Sequence, residues 1–205
     1  MYFDIGANVG HWTLANIDSC QKIIAVEASP ITFNTLSNNC RNPKITLLNY
    51  AVCDNNGNDI TFYHAKEHTL STLNKDWLTE QKSRFNNMEY TEIICKTITI
   101  DKLISEYGVP TLIKVDVEGG EYECIKSLTQ RVDTLCFEWA CEFNEISYKC
   151  LDHLRLLGFN RFYIQFKDDY TYRPNINDCI SLDDIKHQLS LASGDDWGMM
   201  WCIST

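Results

Sequence analysis

Three short segments of the sequence combine glycines or acidic side chains with the end of an apolar run. They are residues 4–10 (Asp-Ile-Gly-Ala-Asn-Val-Gly), 23–27 (Ile-Ile-Ala-Val-Glu) and 112–121 (Leu-Ile-Lys-Val-Asp-Val-Glu-Gly-Gly-Glu). Glycine lets the backbone approach a ligand closely, and a carboxylate can accept hydrogen bonds or a proton, or bind a cation. The three segments are therefore candidates for a binding or catalytic site.

The segment 4–10 is predicted to turn from a first strand into a first helix. Glycines at such a turn permit dihedral angles closed to other residues, and the start of a helix offers free N–H groups. The spacing is not the dinucleotide pattern Gly-x-Gly-x-x-Gly, because Asn8 takes the place of the second glycine and Gly10 follows two residues later. The segment favours a small nucleoside ligand over a nicotinamide dinucleotide, with a purely structural turn as the alternative.

Acids end the other two segments. Glu27 ends the second strand, where a carboxylate can accept hydrogen bonds from two ribose hydroxyls; the alternative is a helix-start residue before Ser29, a typical N-cap. Asp116 and Glu118 lie two residues apart on a segment predicted to be extended, so they should project to the same side and form a site. Glu121 has a simpler explanation, since the helix dipole favours acids in the first turn.

Strand and helix patterns alternate along most of the chain and predict an α/β protein, with a mainly parallel sheet covered by helices on both faces. In such a sheet, ligands bind at the carboxyl ends of the strands. Strands are predicted at residues 2–5, 22–27, 45–51, 59–63, 92–100, 112–116, 134–139, 161–166 and 197–203. Helices are predicted at residues 9–18, 31–40, 101–107, 121–130, 145–157 and 182–191.

The composition is that of a chain able to bury a substantial core, with 44% hydrophobic and 12% aromatic residues in a length of 205. One domain over residues 1–205 is expected. Because the sequence opens on a strand-like run, we expect a domain of a longer chain, with covalently linked neighbour domains. No apolar run approaches the roughly 20 residues that cross a bilayer, so no membrane span is predicted.

The net charge bears on the class of substrate, and the cysteines bear on the cellular location. A net charge of −10 would repel a phosphate backbone, which disfavours nucleic acid as a substrate. The ten cysteines include no Cys-x-x-Cys pair, and several lie in apolar runs, as is typical of reduced core residues. Since the sequence also starts without a signal peptide, a cytoplasmic location is expected.

The three segments, in this order, resemble the motifs of the FkbM family of class I S-adenosylmethionine (SAM)-dependent methyltransferases. The similarity extends over about residues 1–140 and includes residues 49–54, Gly57, Ser71 and residues 97–101. It implies a Rossmann-like, seven-stranded, mainly parallel sheet with helices on both faces and a terminal antiparallel strand. It also implies SAM as the cofactor and a hydroxyl as the methylated group, commonly on a sugar or a polyketide-type molecule.

The resemblance also assigns residues to the cofactor. Within this set, Glu27 would hold the ribose and Asp116 would face the methionine end. The stretch after Trp139 matches no motif, so the resemblance does not imply a particular acceptor. The full cofactor set is Asp4, Gly6, Ala7, Asn8 and Gly10 of the glycine turn, Glu27, Ala28 and Ser29 after the second strand, Ala51, Val52 and Asp54 beside the adenine, and Asp116.

Proximity alone is not enough for methyl transfer to a sugar hydroxyl, because the hydroxyl is a weak acid. A positioned base or a divalent metal ion should therefore help to remove its proton. Asp116 and Glu138 are favoured, because their strands would be neighbours that end at the same edge. Carboxylates could equally hold a metal ion, so the metal is left undetermined. The candidates for the base are Asp116, Glu118, Glu138, His64, His68 and His153.

A sugar or glycan is the acceptor expected first, with a small natural product or a protein side chain as the alternative. Tyr170, Tyr172, Arg173 and Trp197 could form a wall for a sugar ring, since aromatic faces suit the apolar side of a pyranose; core packing is the alternative for Trp197. A catalytically silent nucleoside-binding or scaffold domain is the hypothesis from another class. The acids retained at positions 4, 27, 116 and 118 argue against it.

Overall fold

The computed structural model describes residues 1–205, which form ten strands and seven α-helices. The strands are β1 (Tyr2–Ile5), β2 (Ile23–Val26), β3 (Ile45–Leu48), β4 (Ala51–Val52), β5 (Asp59–Ala65), β6 (Tyr90–Ile98), β7 (Leu112–Val115), β8 (Thr134–Ala140), β9 (Arg161–Phe166) and β10 (Trp197–Ile203). The helices are α1 (His11–Asn16), α2 (Pro30–Asn39), α3 (Asp76–Thr79), α4 (Ile100–Tyr107), α5 (Glu121–Ile125), α6 (Asn144–Leu156) and α7 (Leu182–Leu191).

Seven of the strands form one sheet in the order β3-β2-β1-β7-β8-β10-β9. Its neighbours are parallel except for β10, the last strand of the chain, which runs antiparallel to both β8 and β9. The predicted seven-stranded fold with a terminal antiparallel strand is confirmed. Strand β1 lies between β2 and β7, so the strand order reverses there, and a crevice opens at the carboxyl ends of these strands.

The central strands are buried on both faces, as expected where helices cover a parallel sheet. All residues of β2 and β7 are buried, and a core of 27 buried side chains extends from Phe3 to Cys202. Ser29 caps α2 by accepting a hydrogen bond from the Thr32 N–H, which confirms the predicted N-cap. Gly158 follows α6 with φ of 96°, a conformation that glycine commonly adopts after a helix. None of the helices combines the length and apolar character that crossing a bilayer requires.

A second sheet of three strands, in the order β4-β6-β5, was not predicted as a unit. The strand predicted at 45–51 is wrong at its end, because β3 stops at Leu48. The Asn49 side chain donates hydrogen bonds to the carbonyls of Glu27 and Ala28, which turns the chain away from β2. The next residues then pair with β6 as β4, so the second sheet covers one side of the crevice.

Two predicted helices are shorter in the structure. The first does not extend over 9–18 as one α-helix, because a 3-10 turn, Ile17–Ser19, replaces its last part. The helix predicted at 121–130 ends after five residues. The Ser127 hydroxyl donates to the Cys124 carbonyl, and such local bonds of serine compete with helix continuation.

Candidate active site

A cavity of about 540 Å³ lies at the carboxyl ends of the central strands. This volume is in the range of small-molecule and cofactor sites. Its wall brings together residues from all three sequence segments and from the second sheet. The predicted site residues that lie on it are Gly6, Ala7, Asn8, Glu27, Ala28, Ala51, Val52, Asp116, Glu118 and Glu138.

The glycine turn after β1 packs directly against the end of β7. Gly6 has φ of 77°, and a Cβ at this position would overlap the carbonyl oxygen of Asp116. Gly10 has φ of 97°, and a Cβ there would overlap the Cys40 thiol on the far side of the turn. Glycine is thus required at both positions by packing, but only Gly6 lies on the cavity wall.

Glu27 is buried at the end of β2 and held by the backbone at both carboxylate oxygens. Its Oε2 accepts the N–H of Asn8 at 3.0 Å, and its Oε1 accepts the N–H of Ser29 at 2.9 Å. Burial raises the pKa of Glu27 to about 7, although the two N–H donors oppose the rise. Asn8, in the left-handed region with φ of 50°, also has a buried Oδ1 with no hydrogen-bond partner.

A buried lysine joins the first segment to the third. The Lys114 Nζ lies 3.0 Å from Asp116 Oδ2 and 3.5 Å from Asp4 Oδ1, and it donates a hydrogen bond of 3.2 Å to the Gly6 carbonyl. Burial alone would lower the pKa of Lys114, but the two carboxylates outweigh it and raise that pKa. Asp4 is fully buried and also accepts a hydrogen bond from the Thr13 hydroxyl, so it lies behind the turn.

Three carboxylates converge beyond this lysine. Carboxylate oxygens of Asp116, Glu118 and Glu138 lie within 4.8 Å of one another. Their strands are neighbours, as predicted, since β7 pairs with β8. The extended segment predicted at 116–118 is wrong, because β7 ends at Val115 and Glu118 has φ of 55°. The loop after β7, not strand alternation, brings the acids together.

Two of the three acids, Glu118 and Glu138, bind a proton more tightly than an ordinary glutamate. Burial, and then the neighbouring carboxylates, raise the pKa of Glu118 and of Glu138 well above the ordinary value. Glu138 Oε2 is buried without a hydrogen-bond partner, whereas Asp116 is paired with Lys114. The cluster can therefore hold a proton, and its oxygens are also of the type that binds a divalent cation.

Glu121 does more than occupy a position that the helix dipole favours, which was its explanation from the sequence. Only 3% of its surface is exposed, and its Oε1 accepts the N–H groups of Val117 at 3.1 Å and Gly119 at 3.3 Å. These bonds shape the loop that presents Glu118 to the cavity. The Thr72 hydroxyl adds a bond to the Glu118 carbonyl.

The far wall of the cavity comes from connecting segments and from the start of β10. Tyr170 and Trp197 lie on it, as the sequence suggested, together with Asp168 and Arg84, which the sequence analysis did not single out. Burial raises the pKa of Asp168 to about 6. Tyr172 is not on the wall.

Several other candidate residues have structural roles. Arg173 packs over Trp12 and Trp201, with its guanidinium carbon 5.7 and 5.2 Å from the ring centres. The His64 ring nitrogen lies 3.1 Å from the Ser29 hydroxyl, and His153 lies 2.9 Å from the Leu128 carbonyl. Of the histidines proposed as bases, only His68 lies on the wall, where it is exposed.

Four residues of the expected cofactor set lie off the wall: Asp4, Gly10, Ser29 and Asp54. The first three hold the turn and the start of α2 in place, as described above. Asp54 is partly exposed and forms an ion pair of 2.9 Å with Lys126. These four residues thus support or surround the cavity without facing it.

Comparison with known proteins gives a family and a sequence relative. A family model described as the methyltransferase FkbM domain matches residues 4–174. The hexuronic acid methyltransferase AglP of Haloferax volcanii is 33% identical over 140 residues, which are 66% of this chain and 52% of that protein. The chain therefore spans about half the length of this curated relative.

One solved structure shares the fold at low sequence identity, and a second has a lower TM-score. The precorrin-8w decarboxylase of Methanobacterium thermoautotrophicum has a TM-score of 0.52 and 11% identity, over 98% of this chain and 80% of that chain. A precorrin-6y C5,15-methyltransferase of Geobacter metallireducens has a TM-score of 0.48 and 11% identity, over 100% of this chain and 78% of that chain. The first of these likenesses supports the assignment of the fold alone.

Proposed function

Because the chain belongs to the FkbM methyltransferase family, we propose that it transfers a methyl group from SAM to a hydroxyl group of a sugar. The observation that carries the proposal is the shared cavity. One wall holds the fixed carboxylate of Glu27, and the same space reaches the acid cluster of Asp116, Glu118 and Glu138. A nucleoside site and a proton-accepting site in one cavity are what a methyltransferase needs.

The residues on the strand-end wall fit SAM as the cofactor. Glu27, held at both oxygens by N–H groups, has further lone pairs for the two ribose hydroxyls. The buried Asn8 Oδ1 is free to accept a hydrogen bond, and Ala51, Val52 and Phe62 offer an apolar surface to adenine. When bound, SAM supplies an electrophilic methyl group on a sulfonium centre.

We assign the two favoured acids to different roles. Asp116 is already paired with Lys114, and its charge suits the ammonium group at the methionine end of the cofactor. Glu138 has a buried oxygen with no hydrogen-bond partner and a raised pKa, so its ionised form is a strong base for a hydroxyl proton. A divalent cation held by the cluster is the alternative way to acidify the hydroxyl, and the effect of a chelator on methyl transfer distinguishes the two.

A sugar is the acceptor that the wall composition supports best. Tyr170 and Trp197 line the same cavity as the carboxyl groups of Glu138 and Asp168, and this combination suits the apolar face and the hydroxyl rim of a pyranose. The name of the Haloferax volcanii relative also refers to a sugar acid. A hydroxylated small natural product or a protein side chain is the second candidate.

The test is transfer of a labelled methyl group from SAM to a panel of methyl hexopyranosides. We expect incorporation into at least one sugar, with release of S-adenosylhomocysteine (SAH) in equal amount. Transfer only to non-sugar hydroxyl compounds would favour the second candidate. Absence of transfer to any hydroxyl acceptor, with SAH still bound, would contradict O-methylation and favour a silent nucleoside-binding domain.

A further inference from the structure

The cavity wall carries more carboxyl groups than the proposed cofactor can use. Glu27 and Asp116 are assigned to the ribose and the ammonium group of SAM. Three further carboxylates, of Glu118, Glu138 and Asp168, lie on the same wall. We refer to these three acids together with Tyr170 and Trp197 as the acceptor subsite.

The cations on the wall are already paired. Its lysine and arginine residues are Lys114 and Arg84. Lys114 is buried between Asp4 and Asp116. The Arg84 Nε lies 2.9 Å from Glu142 Oε1, and its Nη1 donates a hydrogen bond of 2.7 Å to the Asp195 carbonyl. The two histidines on the wall, His11 and His68, are exposed.

We propose that the acceptor subsite selects an electrically neutral sugar and rejects an anionic sugar such as a hexuronic acid. This inference rests on the proposed function, since it concerns the acceptor of the same reaction. It separates this chain from the Haloferax volcanii relative, whose name specifies a hexuronic acid.

The physical reason is the sign of the charges that surround the acceptor. A neutral sugar donates its hydroxyl hydrogens to carboxylate oxygens and stacks its apolar face on Tyr170 or Trp197. A sugar carboxylate would instead lie near like charge, with no free lysine or arginine to neutralise it. Such an arrangement disfavours an anionic sugar relative to a neutral one. Protonation of Glu118 and Glu138 leaves this conclusion in place, because Asp168, whose pKa is raised only to about 6, remains charged at neutral pH and above.

The experiment compares sugars that differ only at C6, with the whole chain saturated with SAH and binding measured by calorimetry at pH 8, where an ordinary histidine is neutral. For each hexose tried, the probes are the methyl hexopyranoside, the methyl hexuronoside and its uronamide. The uronamide matches the shape of the uronate without its charge. We expect the two neutral sugars to bind at least about tenfold more tightly than the uronate.

A charge-removing variant tests whether the acceptor subsite causes this preference. Asp168→Asn should reduce the discrimination between uronamide and uronate to about threefold or less. Asp133→Asn removes the same charge from an exposed position off the cavity wall and should keep the full discrimination.

The outcomes separate this inference from the proposed function. Equal or tighter binding of the uronate than of its uronamide, with SAH bound normally, overturns charge selection and leaves sugar methylation standing. Full discrimination in Asp168→Asn also overturns it, because the subsite would not be its source. If SAH binds and no sugar does, the sugar acceptor fails, and with it this inference.

Discussion

The two halves of the cavity wall are built in different ways. The strand-end half, with Gly6, Asn8, Glu27 and Asp116, follows β1, β2 and β7 and is fixed by backbone N–H groups and by Lys114. The loop half includes Arg84, Asp168 and Tyr170 from connecting segments, and Trp197 at the start of β10. Glu138, on β8, lies at the boundary between them.

Because of this difference, residues of the strand-end half tolerate substitution less well than residues of the loop half. Changing a residue of the strand-end half disturbs bonds that cross the central sheet, because each carboxylate there is shared with a neighbouring segment. The loop half can change its shape and charge with less effect on the core, as connecting segments generally do. We therefore assign the cofactor to the first half and the choice of acceptor to the second.

The largest expected effect is at the boundary residue. Glu138→Gln keeps the size of the side chain but removes the proposed base, so kcat for methyl transfer should fall about 10²- to 10⁴-fold. SAH affinity should change little, because the cofactor is bound by the other residues. Steady-state kinetics and calorimetry measure the two quantities. A variant that keeps more than half of the wild-type kcat would show that Glu138 is not the base.

The next effect concerns the lysine that fixes the strand-end half. Lys114→Met leaves Asp4 and Asp116 without their buried partner and should lower the free energy of unfolding by about 3–5 kcal/mol. Urea unfolding measures it, and Lys149→Met, at an exposed lysine, is the control. A loss below about 1 kcal/mol for Lys114→Met would mean that this half does not depend on the buried pair.

The raised pKa of Glu138 also predicts a pH-dependent stability. The folded state keeps the proton that the unfolded state loses, so wild-type stability falls as pH rises from the ordinary glutamate range through the folded-state pKa. Glu138→Gln lacks this loss and should be more stable than wild type at pH 8, by about 1–3 kcal/mol.

The same comparison at pH 4 serves as its internal control. Glu138 is then protonated in the folded state and mostly protonated in the unfolded state, so the two proteins should unfold at nearly the same urea concentration. Glu145→Gln, at an exposed acid, should show no such pH-dependent gain. A Glu138→Gln variant less stable than wild type at pH 8 would contradict the claim that burial raises the pKa of Glu138.

The smallest effect is expected just outside the wall. Asp54 belongs to the cofactor set implied by the family resemblance, but it is partly exposed and pairs with Lys126. Asp54→Asn should change SAH affinity less than about twofold and stability by less than about 1 kcal/mol, as for most surface ion pairs. A tenfold loss of SAH affinity would extend the strand-end half to this residue.

The sequence indicated the residues of the strand-end half because the patterns that mark them are short and continuous in the chain. A glycine turn after one strand and acids after two others are visible in segments of ten residues or fewer, and parallel alternation places those strand ends at one edge. Lys114 was not singled out, although a lysine inside an apolar strand is a signal of a buried partner. Its partner Asp4 is far away in the sequence, so the pairing itself required the fold.

The loop half could not be predicted in the same way. Asp168 and Arg84 lie in irregular segments without periodicity, and nothing in their neighbours indicates that they face a cavity. Glu121 was misread for a related reason. An acid in the first turn of a helix has an ordinary explanation in the helix dipole, and only the folded loop shows that it binds the N–H groups of Val117 and Gly119.

Calorimetric titration with SAH tests most directly the claim that the strand-end half is a SAM site. We expect micromolar binding of SAH by the wild-type chain, no binding of NAD, and about 10- to 100-fold weaker SAH binding by Glu27→Ala, because hydrogen bonds to a charged acceptor are lost. Undetectable SAH binding by the wild type, or equal affinity in Glu27→Ala, would contradict the assignment of this wall to the cofactor.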